Sequence, residues 1–460
     1  MWWKCDYATF PPAPQDEYNG PVPNRKRLAP GGLADSLLMG ELPRLPPPVP
    51  GTSCEELKRL LPELERFLAR VDGDSIDRDD RVPPRIIAGL KRLGAFRLRV
   101  PRAHGGLGLS HSDYHRVVAL VAARSAGLSM WITTQSLAVE LLALAGTAEQ
   151  RAKLLPRLAA GDLAAFAMTE AGAGTEPSAM AATARAVRGG WRLDGEKIWI
   201  TNAPVARWVV VLARAPGGIT AFLVDARAPG FSRARRCRFL GLRGMENGVL
   251  RLRGAFVPSG RRLGAEGDGL RLGLAAMNAG RLSVAARALG LANECLRISK
   301  EWARRRRVHG RALARNASVA QRLERLETLV ARLCGVSAWT AAEADAGRTP
   351  RWESALAKLF SAAAAWEAAD LALQLRGGRG YETADSQRAR GEKAEPVERL
   401  LRDARGLRLI EGSDDALRGA LARRALELQG RRGEPDADAY ARADAAARRF
   451  GELWELGRKA

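Results

Sequence analysis

The 460-residue sequence predicts an α+β protein, mostly helical, in which a β domain is inserted between two helical regions. Before residue 162 and again after residue 266, apolar residues recur at steps of three and four, which is typical of amphipathic helices. Between these regions the sequence switches to period two. Runs such as WVVVLARA (Trp208–Ala215), ITAFLVDA (Ile219–Ala226) and LRLRGAFVP (Leu250–Pro258) are bounded by Gly and Pro, which is typical of strands.

These patterns divide the chain into an extension, three domains and a tail. They are a Pro-rich N-terminal extension (1–52), an N-terminal helical domain (53–162), a middle β domain (163–265), a C-terminal helical domain (266–424) and a polar helical tail (425–460). Within the extension, LADSLLMGEL is expected to form a short docking helix. The other predicted helices are Leu57–Val71, preceded by a start at Thr52 or Ser53, and Pro84–Leu93, Ser112–Ala123, Ser129–Ala145, Ala148–Ala160, Leu282–Arg304, Ser318–Ala346, Trp352–Gln374, Pro396–Arg405 and Ala439–Leu456.

The composition excludes several classes of protein. A hydrophobic content of 46% is typical of a globular chain. The longest apolar stretch, Val117–Leu144, is interrupted by Arg124, Gln135 and Glu140, so no membrane-spanning helix is expected. The N-terminus has no secretory pattern. The 5 cysteines have no metal-ligand spacing, so we expect no metal site, no disulfide framework and a cytoplasmic location.

The net charge of +23 comes from 74 basic and 51 acidic residues. Such an excess is typical of proteins that bind nucleic acids or anionic surfaces. Here the arginines are spread along the chain and no nucleic-acid-binding motif is present, so we expect no nucleic-acid partner. A phosphate-rich ligand would also benefit from the charge, and a peripheral membrane contact stays open.

The region Leu163–Ala203 has the most distinctive pattern. A small apolar strand, Ala164–Met168, leads into a loop that contains Gly172 and Gly174. The following segment, WRLDGEKIWITNA, alternates apolar and polar residues and is predicted to be a β-hairpin that turns at Asp194-Gly195. Glycines after a strand let backbone N–H groups approach a ligand closely, although Gly, Pro and Thr are also ordinary turn residues.

Four motifs in this helical–β–helical order resemble those of the acyl-CoA dehydrogenase family of flavoproteins. They are FAMTEAGAGTE, IWITNA, QLRGGRGY and PVERLLRDARGLRLIEGSDDALR, which begin at Phe166, Ile198, Gln374 and Pro396. The resemblance covers residues 55–421, and MNAGRLSVAARALG and LADSLLMGEL most resemble the very-long-chain branch and its bacterial relatives. It implies a β-barrel-like middle domain and a C-terminal four-helix bundle.

The resemblance also implies FAD as the cofactor, acyl-CoA as the substrate and a homodimer or homotetramer. The resemblance also assigns a set of residues to contacts with the flavin cofactor. They are Phe166, Met168, Thr169, Thr175, Trp199, Thr201, Ser413 and Asp415. Residues implied to contact the FAD of a neighbouring subunit are Arg306, Gln321, Gln374 and Gly378. Arg306 matches the arginine that reaches the pyrophosphate, for which its planar fork is suited, although RRRR is also an ordinary solvated charge run. Residues implied at the thioester are Thr175, Asn278, Arg281 and Gly412.

Glu411 matches the catalytic glutamate of most of the family. In the implied reaction it removes the α-proton of the thioester while a hydride leaves the β-carbon for flavin N5. Its backbone N–H and a ribityl hydroxyl would stabilise the enolate oxygen. Leu409 and Ile410 are expected to give the carboxylate an apolar setting, which would raise its pKa. The alternative is a carboxylate that stabilises the N-terminus of the helix predicted to follow it, in which Ser413 is the expected N-cap and Asp414 and Asp415 lie in the first turn. Gly280 stands where a minority branch has its base and cannot act as one.

Some positions depart from the family pattern. They are Ala171, Glu176, Ala203, His309 and an insertion near Asp385–Ala394. The leading functional hypothesis is an FAD-dependent acyl-CoA dehydrogenase that passes electrons to an electron-transfer flavoprotein. Two alternatives are a flavin-dependent acyl oxidase or desaturase of secondary metabolism, and a non-catalytic assembly protein. The presence of Glu411 and Arg306 argues against the last. The tail is short beside the C-terminal domain of the very-long-chain branch, which leaves membrane association and the dimeric state open.

Overall fold

The computed structural model describes residues 32–41, 54–348 and 351–454. The Pro-rich stretch PRLPPPVPG, predicted to be an extended linker, lies outside the described residues. The chain divides into two compact units, one formed by Cys54–Ser283 and the other by Met1–Ser53 together with Val284–Ala460.

Two of the helices that precede the sheet along the chain begin directly after strong capping residues. Ser110 accepts a hydrogen bond from the backbone N–H of Asp113 (3.0 Å), and Thr147 and Gln150 form a reciprocal capping box. In chain order the helices that precede the sheet are α1 (Leu33–Leu38), α2 (Glu55–Leu68), α3 (Gly73–Asp79), α4 (Pro84–Arg92), α5 (His111–Arg124), α6 (Ala126–Ala145) and α7 (Ala148–Ala159).

Among the described residues, α6 is the helix long and apolar enough to cross a membrane, with a mean hydropathy of 1.3. From the sequence no membrane-spanning helix is expected, because Val117–Leu144 is treated as one stretch that Arg124 interrupts. The structure instead ends α5 at that arginine and starts α6 two residues later. Because 72% of the apolar window is buried inside the protein, α6 has the environment of a core helix.

Eight strands form one sheet in the spatial order β6-β7-β3-β2-β4-β5-β8, with β1 paired in parallel to β4. This confirms the predicted α+β class with a β domain between helical regions. The strands are β1 (Ala164–Ala167), β2 (Thr183–Val187), β3 (Gly190–Thr201), β4 (Trp208–Ala215), β5 (Gly218–Asp225), β6 (Phe231–Arg236), β7 (Asn247–Pro258) and β8 (Arg262–Leu263).

The predicted hairpin turn at Asp194-Gly195 is wrong. β3 runs straight through this pair, and the turn into it lies earlier, at Gly189 (φ 79°). Gly195 (φ 141°) lies instead at a bulge where the register between β3 and β7 shifts. Asp194 accepts a hydrogen bond from the backbone N–H of Gly254 on β7 (2.6 Å). The long partner strand therefore extends past the Asp-Gly pair and converts a turn sequence into a bulge.

The C-terminal half is helical apart from a small two-stranded ribbon. The long helix α8 starts at Gly269, well before the predicted start at Leu282. The elements are α8 (Gly269–Arg305), β9 (Arg307–Val308), β10 (Arg311–Ala312), α9 (Ala317–Asp345), α10 (Arg351–Arg376), α11 (Gly378–Tyr381), α12 (Ala384–Ala389), α13 (Val397–Leu407), α14 (Asp414–Leu428) and α15 (Ala437–Glu452).

The predicted docking helix forms as α1. Its leucines are buried in one apolar cluster with residues of α10, α14 and α15. Two polar contacts fix the helix: Glu353 accepts a hydrogen bond from the backbone N–H of Ala34 (2.9 Å), and Arg424 pairs with the buried Asp35 (2.6 Å). A buried carboxylate at the N-terminal turn satisfies a backbone donor that would otherwise be unpaired.

Candidate active site

The strand that carries Phe166 is held in place by two buried amide side chains. Gln135 of α6 accepts from the backbone N–H of Ala164 (2.8 Å), and Asn202 donates to the carbonyl of the same residue (3.1 Å). Gly273 of α8 packs against this region, where an added Cβ would lie 3.2 Å from the sulfur of Met168. β1 is therefore fixed at its start, and Phe166 and Met168 follow it in a defined register.

A buried ion pair holds the glycine loop that follows β1. Lys197 of β3 is completely buried and lies 2.6 Å from Glu170, and it also donates to the carbonyl of Met168 (3.0 Å). Glu170 further accepts from the backbone N–H groups of Ala181 (2.6 Å) and Ala182 (3.0 Å). Burial lowers the pKa of Lys197, whereas the Lys197 ammonium and the two N–H groups hold the pKa of Glu170 below its usual range against the effect of burial. The loop is therefore anchored at both ends.

The predicted flavin-flanking residues of β1 and β3 lie side by side. The backbone N–H of Ile198 donates to the carbonyl of Thr169 (2.9 Å). Trp199 has φ 57°, an unusual conformation for a bulky residue, and its side chain is 59% exposed. Asn247 of β7 donates to the carbonyl of Trp199 (2.9 Å) and to Oγ1 of Thr201 (3.1 Å). The amide of Asn247 thus stabilises the strained backbone at this irregularity of β3, where the register with β7 shifts, and the indole is exposed at the surface of this unit.

The remaining predicted residues of this unit lie on the glycine loop and on α8. Thr175 is exposed, and a Cβ added at Gly172 or Gly174 would meet no atom within 4 Å, so the loop leaves its backbone open to a ligand. Asn278 and Arg281 lie one helical turn apart on α8, where the guanidinium donates to Oδ1 of Asn278 (2.9 Å).

Three arginines surround one indole in the second unit, a group that we call the Trp302 cluster. The guanidinium carbons of Arg306, Arg376 and Arg379 lie 5.8, 4.8 and 5.7 Å from the centre of the Trp302 ring. The Trp302 indole N–H donates to the carbonyl of Leu375 (3.1 Å). The cluster therefore joins the end of α8, with Arg306, to the end of α10, where the glycine motif begins.

Arg376 is the buried member of the Trp302 cluster. It is 7% exposed, it donates to Oε1 of Gln387 (3.2 Å), and its Nε has no hydrogen-bond partner among the described residues. Burial lowers the pKa of Arg376. Beside it, a Cβ added at Gly377 (φ 58°) or Gly378 would meet no atom within 4 Å. A guanidinium with an unused donor next to open backbone is a suitable environment for an anion.

The insertion Asp385–Ala394 packs onto this glycine motif. Gln387 is fully buried and donates to the carbonyls of Arg379 and Glu382, both at 3.0 Å. Glu392 forms a bidentate pair with Arg379 at 2.6 and 2.8 Å. The two other predicted residues of this group, Gln321 on α9 and Gln374 on α10, are exposed.

Glu411 lies in a tight turn between α13, which ends at Leu407, and α14, which begins at Asp414. Glu411 (φ 55°) and Gly412 (φ 93°) both have left-handed backbone. The predicted N-cap is confirmed, because Oγ of Ser413 accepts from the backbone N–H of Ala416 (3.3 Å). The conformation directs the chain sharply from one helix to the next at the glutamate.

A buried lysine of α10 braces the Glu411 turn. Nζ of Lys358, which is completely buried, donates to Oδ1 of Asp414 (2.9 Å) and to the carbonyl of Arg408 (3.2 Å). Nε of Arg408 donates to the other oxygen of Asp414 (2.6 Å), and the Asp414 backbone N–H donates to the Arg408 carbonyl (3.0 Å). The two ends of the turn are therefore fastened to each other and to α10.

The expected apolar setting of Glu411 is only partly present. Leu409 is 57% exposed in the single chain, and the apolar packing at the end of α13 comes from Leu407, which is fully buried. Sequence reasoning also missed a group of polar residues that position the site: Lys197, Asn247, Trp302, Lys358 and Arg376. One of these left a signal, because Lys358 is a charge within the otherwise apolar run ALAKLF (355–360).

Comparison with known proteins identifies the family. Models of the acyl-CoA dehydrogenase N-terminal, middle and C-terminal domains match residues 55–162, 165–255 and 267–426. A probable acyl-CoA dehydrogenase FadE10 of Mycobacterium tuberculosis is 42% identical over 434 residues, which cover 90% of this chain and 67% of that protein.

Two further proteins extend the comparison. The mitochondrial very long-chain specific acyl-CoA dehydrogenase of Mus musculus is 32% identical over 81% of this chain and 58% of its own length. The structure of an acyl-CoA dehydrogenase of Bacillus anthracis complexed with FAD has a TM-score of 0.75 at 24% identity, and the match covers 87% of this chain and 71% of that one. The chain therefore belongs to the acyl-CoA dehydrogenase family, a family of oxidoreductases that use FAD and act on the CH–CH bond of acyl-CoA.

Proposed function

We propose that this protein dehydrogenates a fatty acyl-CoA to its trans-2-enoyl-CoA, with Glu411 as the base that removes the α-proton, and that it passes the electrons to an electron-transfer flavoprotein. The observation that supports this most strongly is the braced turn between α13 and α14. It combines a glutamate in left-handed backbone, an adjacent glycine and a buried Lys358–Asp414 pair that fixes both ends. A solvated helix-terminal carboxylate needs no such bracing.

The residues of the chain fit FAD. The Trp302 cluster offers Arg306, the unused Nε of Arg376 and the open backbone of Gly377, which together suit a pyrophosphate. The pyrophosphate that Arg306 would contact belongs to the FAD of a neighbouring subunit. For the ring system of the flavin we assign Thr169 and Trp199, which lie close together because the backbone N–H of Ile198, next to Trp199 on β3, donates to the carbonyl of Thr169. When bound, FAD supplies the acceptor for the hydride that leaves the β-carbon.

The chain itself supplies the proton chemistry. The carboxylate of Glu411 would take the α-proton, and its backbone N–H would donate to the thioester oxygen as negative charge develops there. Arg281 and Asn278 would line the thioester end of the site, with the arginine oriented by its bond to the asparagine. The turn holds the base in one conformation, which reduces the entropic cost of reaching the reactive geometry.

We further propose that the active form is a homodimer or homotetramer. Arg306, Gln374 and Gly378 are the positions that the family resemblance assigns to the FAD of a neighbouring subunit. Their open or exposed surroundings in the single chain leave room for that contact.

An anaerobic titration tests the base. The FAD-loaded protein is titrated with saturated acyl-CoAs of increasing chain length while the flavin absorbance is followed. We expect bleaching by the wild type and by Glu434→Gln, a control at an exposed glutamate of the same unit. Glu411→Gln should bind the thioester without bleaching. Full bleaching by Glu411→Gln would refute its role, and a preparation that takes up no FAD would refute the reaction as a whole.

The electron acceptor is tested separately. The wild type is supplied with substrate and either a purified electron-transfer flavoprotein or air alone. Rapid turnover with the flavoprotein and slow oxygen consumption without it would support the dehydrogenase. Rapid oxygen consumption in air would instead identify an oxidase.

A further inference from the structure

A cleft in the unit Cys54–Ser283 has no part in the proposed reaction. It has a volume of about 390 Å³ and lies between the end of α3 and the loop that follows β6. We call it the basic cleft, because five arginines line it: Arg78, Arg81, Arg236, Arg238 and Arg243. None of them is among the residues assigned to FAD or to the thioester.

Carboxylates pair with only part of this positive charge. Arg78 lies 3.0 Å from Asp79, and Arg236 pairs with Asp80 (2.7 Å) and Glu246 (3.1 Å). In contrast, Arg81 and Arg238 have no carboxylate within ion-pair distance in the part of the chain that the structure describes. Arg243 is intermediate, because its Nε donates to the carbonyl of Phe239 (3.4 Å) and its charge helps to lower the pKa of Asp80. Like charges are costly to hold together without a counter-charge, so the guanidinium groups of Arg81 and Arg238, next to the other arginines of the cleft, make it a favourable site for an anion.

The wall of the basic cleft is rigid. Asp80 has left-handed backbone (φ 49°), and its carboxylate accepts from the backbone N–H of Gly244 (3.0 Å) as well as from Arg236. The Arg236 guanidinium and the Gly244 N–H hold the pKa of Asp80 below its usual range in spite of burial. The indole of Trp131 donates to the Gly244 carbonyl (2.9 Å). The guanidinium of Arg236 already donates to Asp80 and Glu246, so Arg236 supports the wall of the cleft, and Arg81 and Arg238 are left to bind the ligand.

We propose that the basic cleft binds the phosphate group of a small ligand at a site additional to the active site. The guanidinium fork matches phosphate oxygens in a bidentate manner, and Arg81 and Arg238 are exposed and able to adjust to them. The volume lies at the lower end of the range for small-molecule pockets, roughly 300–1,000 Å³, which suits a ligand of nucleotide size. Phe239, which also lines the cleft and is half-buried, provides an aromatic surface next to the phosphate position.

The test is calorimetric binding of ADP and of inorganic phosphate to the FAD-loaded protein. The variant Arg81→Gln/Arg238→Gln removes the two exposed arginines, and Arg235→Gln is the matched control, since Arg235 is exposed on β6 and does not line the cleft. We expect the double variant to weaken binding by roughly tenfold or more, the scale of a lost charge-assisted hydrogen bond, while Arg235→Gln leaves it unchanged. Arg81→Lys/Arg238→Lys should bind with intermediate affinity, because it keeps the charge and loses the fork.

A second measurement tests whether the phosphate group belongs to a lipid or to a soluble metabolite. Sedimentation with vesicles that contain phosphatidate tests a lipid headgroup, and ADP tests a free metabolite. Binding of either probe that is weakened in Arg81→Gln/Arg238→Gln and not in Arg235→Gln supports the site. Three results would overturn the proposed site. The wild type and the double variant could bind the probe equally well, Arg235→Gln could lose as much affinity as the double variant, or no probe could bind saturably. Unchanged melting temperatures exclude unfolding as the cause.

Discussion

Lys358 of α10, which is completely buried, and Asp414 of α14, which is largely buried, form an ion pair with 2.9 Å between Nζ and Oδ1, and this pair fixes the turn that carries Glu411. The lysine also donates to the carbonyl of Arg408 at the other end of the turn. A charge pair of this kind costs desolvation energy and adds little net stability, so its value lies in holding one conformation.

Removing one partner of this pair should damage both stability and catalysis. Lys358→Met leaves Asp414 buried beside Arg408 alone, and we expect a loss of about 3–5 kcal/mol in the free energy of unfolding, measured by denaturant titration. We also expect kcat to fall more than KM rises, because the mutation disorders the base and not the binding surface.

A second variant separates positioning from stability. Lys358→Met/Asp414→Leu removes both charges and should recover much of the stability, since a buried pair is often replaceable by apolar residues. If the pair positions Glu411, kcat stays low and its pH profile stays altered in the double variant. Full recovery of kcat together with stability would show that the pair has only a structural role.

The Lys197–Glu170 pair should control the affinity for FAD. Lys197→Met releases the anchored end of the glycine loop and leaves a buried carboxylate, so we expect a lower flavin content after purification and weaker rebinding of FAD in a fluorescence titration. Lys153→Met breaks an exposed lysine–glutamate pair on α7 and serves as the control, with a cost of about 0–1 kcal/mol. Equal flavin affinity in both variants would contradict the anchoring role.

The Trp302 cluster predicts unequal roles for its arginines. Arg306 has no carboxylate partner among the described residues, whereas Glu392 already neutralises Arg379 through a bidentate pair. We therefore expect Arg306→Gln to weaken FAD binding by roughly tenfold or more and Arg379→Gln to have a smaller effect on it. The measurement is the Kd for FAD of the apoprotein. A larger effect of Arg379→Gln would argue against the assignment of Arg306 to the pyrophosphate.

A partly buried histidine should make the protein sensitive to acid. Nε2 of His111 lies 2.6 Å from Nη2 of Arg99, and because arginine only donates, the imidazole accepts there and is neutral. Burial and the neighbouring charges of Arg99 and His115 lower the pKa of His111 from 6.5 to about 2. Between these values the unfolded chain binds a proton that the folded chain does not, so stability falls as the pH falls.

The slope contributed by this proton is up to about 1.4 kcal/mol per pH unit. His111→Gln keeps an acceptor for Arg99 and removes the titration, and it should flatten the decline in stability between pH 6 and pH 4 in denaturant titrations. An unchanged pH dependence in this variant would mean that the imidazole is protonated in the folded protein.

Local sequence patterns predicted those elements whose conformation depends only on residues that are neighbours in the sequence. The apolar repeat predicted the long helices, alternation predicted β4, β5 and β7, and Ser413 was identified as the N-cap of α14. The Asp194-Gly195 pair failed as a turn, because the choice between turn and bulge depends on a partner strand distant in sequence. The roles assigned to Glu411, Arg306 and the flavin-flanking residues stay predictions until they are measured.

By itself, the sequence determined the fold class, the family and the approximate positions of the chemical groups, because these follow from periodicity and from short motifs. Only the tertiary structure decided which polar side chains hold those groups in place. Lys358 and Asp414 are separated by 56 residues, and Trp302 and Leu375 by 73. Their contacts arise from helix packing, and packing depends on the whole set of buried surfaces and not on any local pattern.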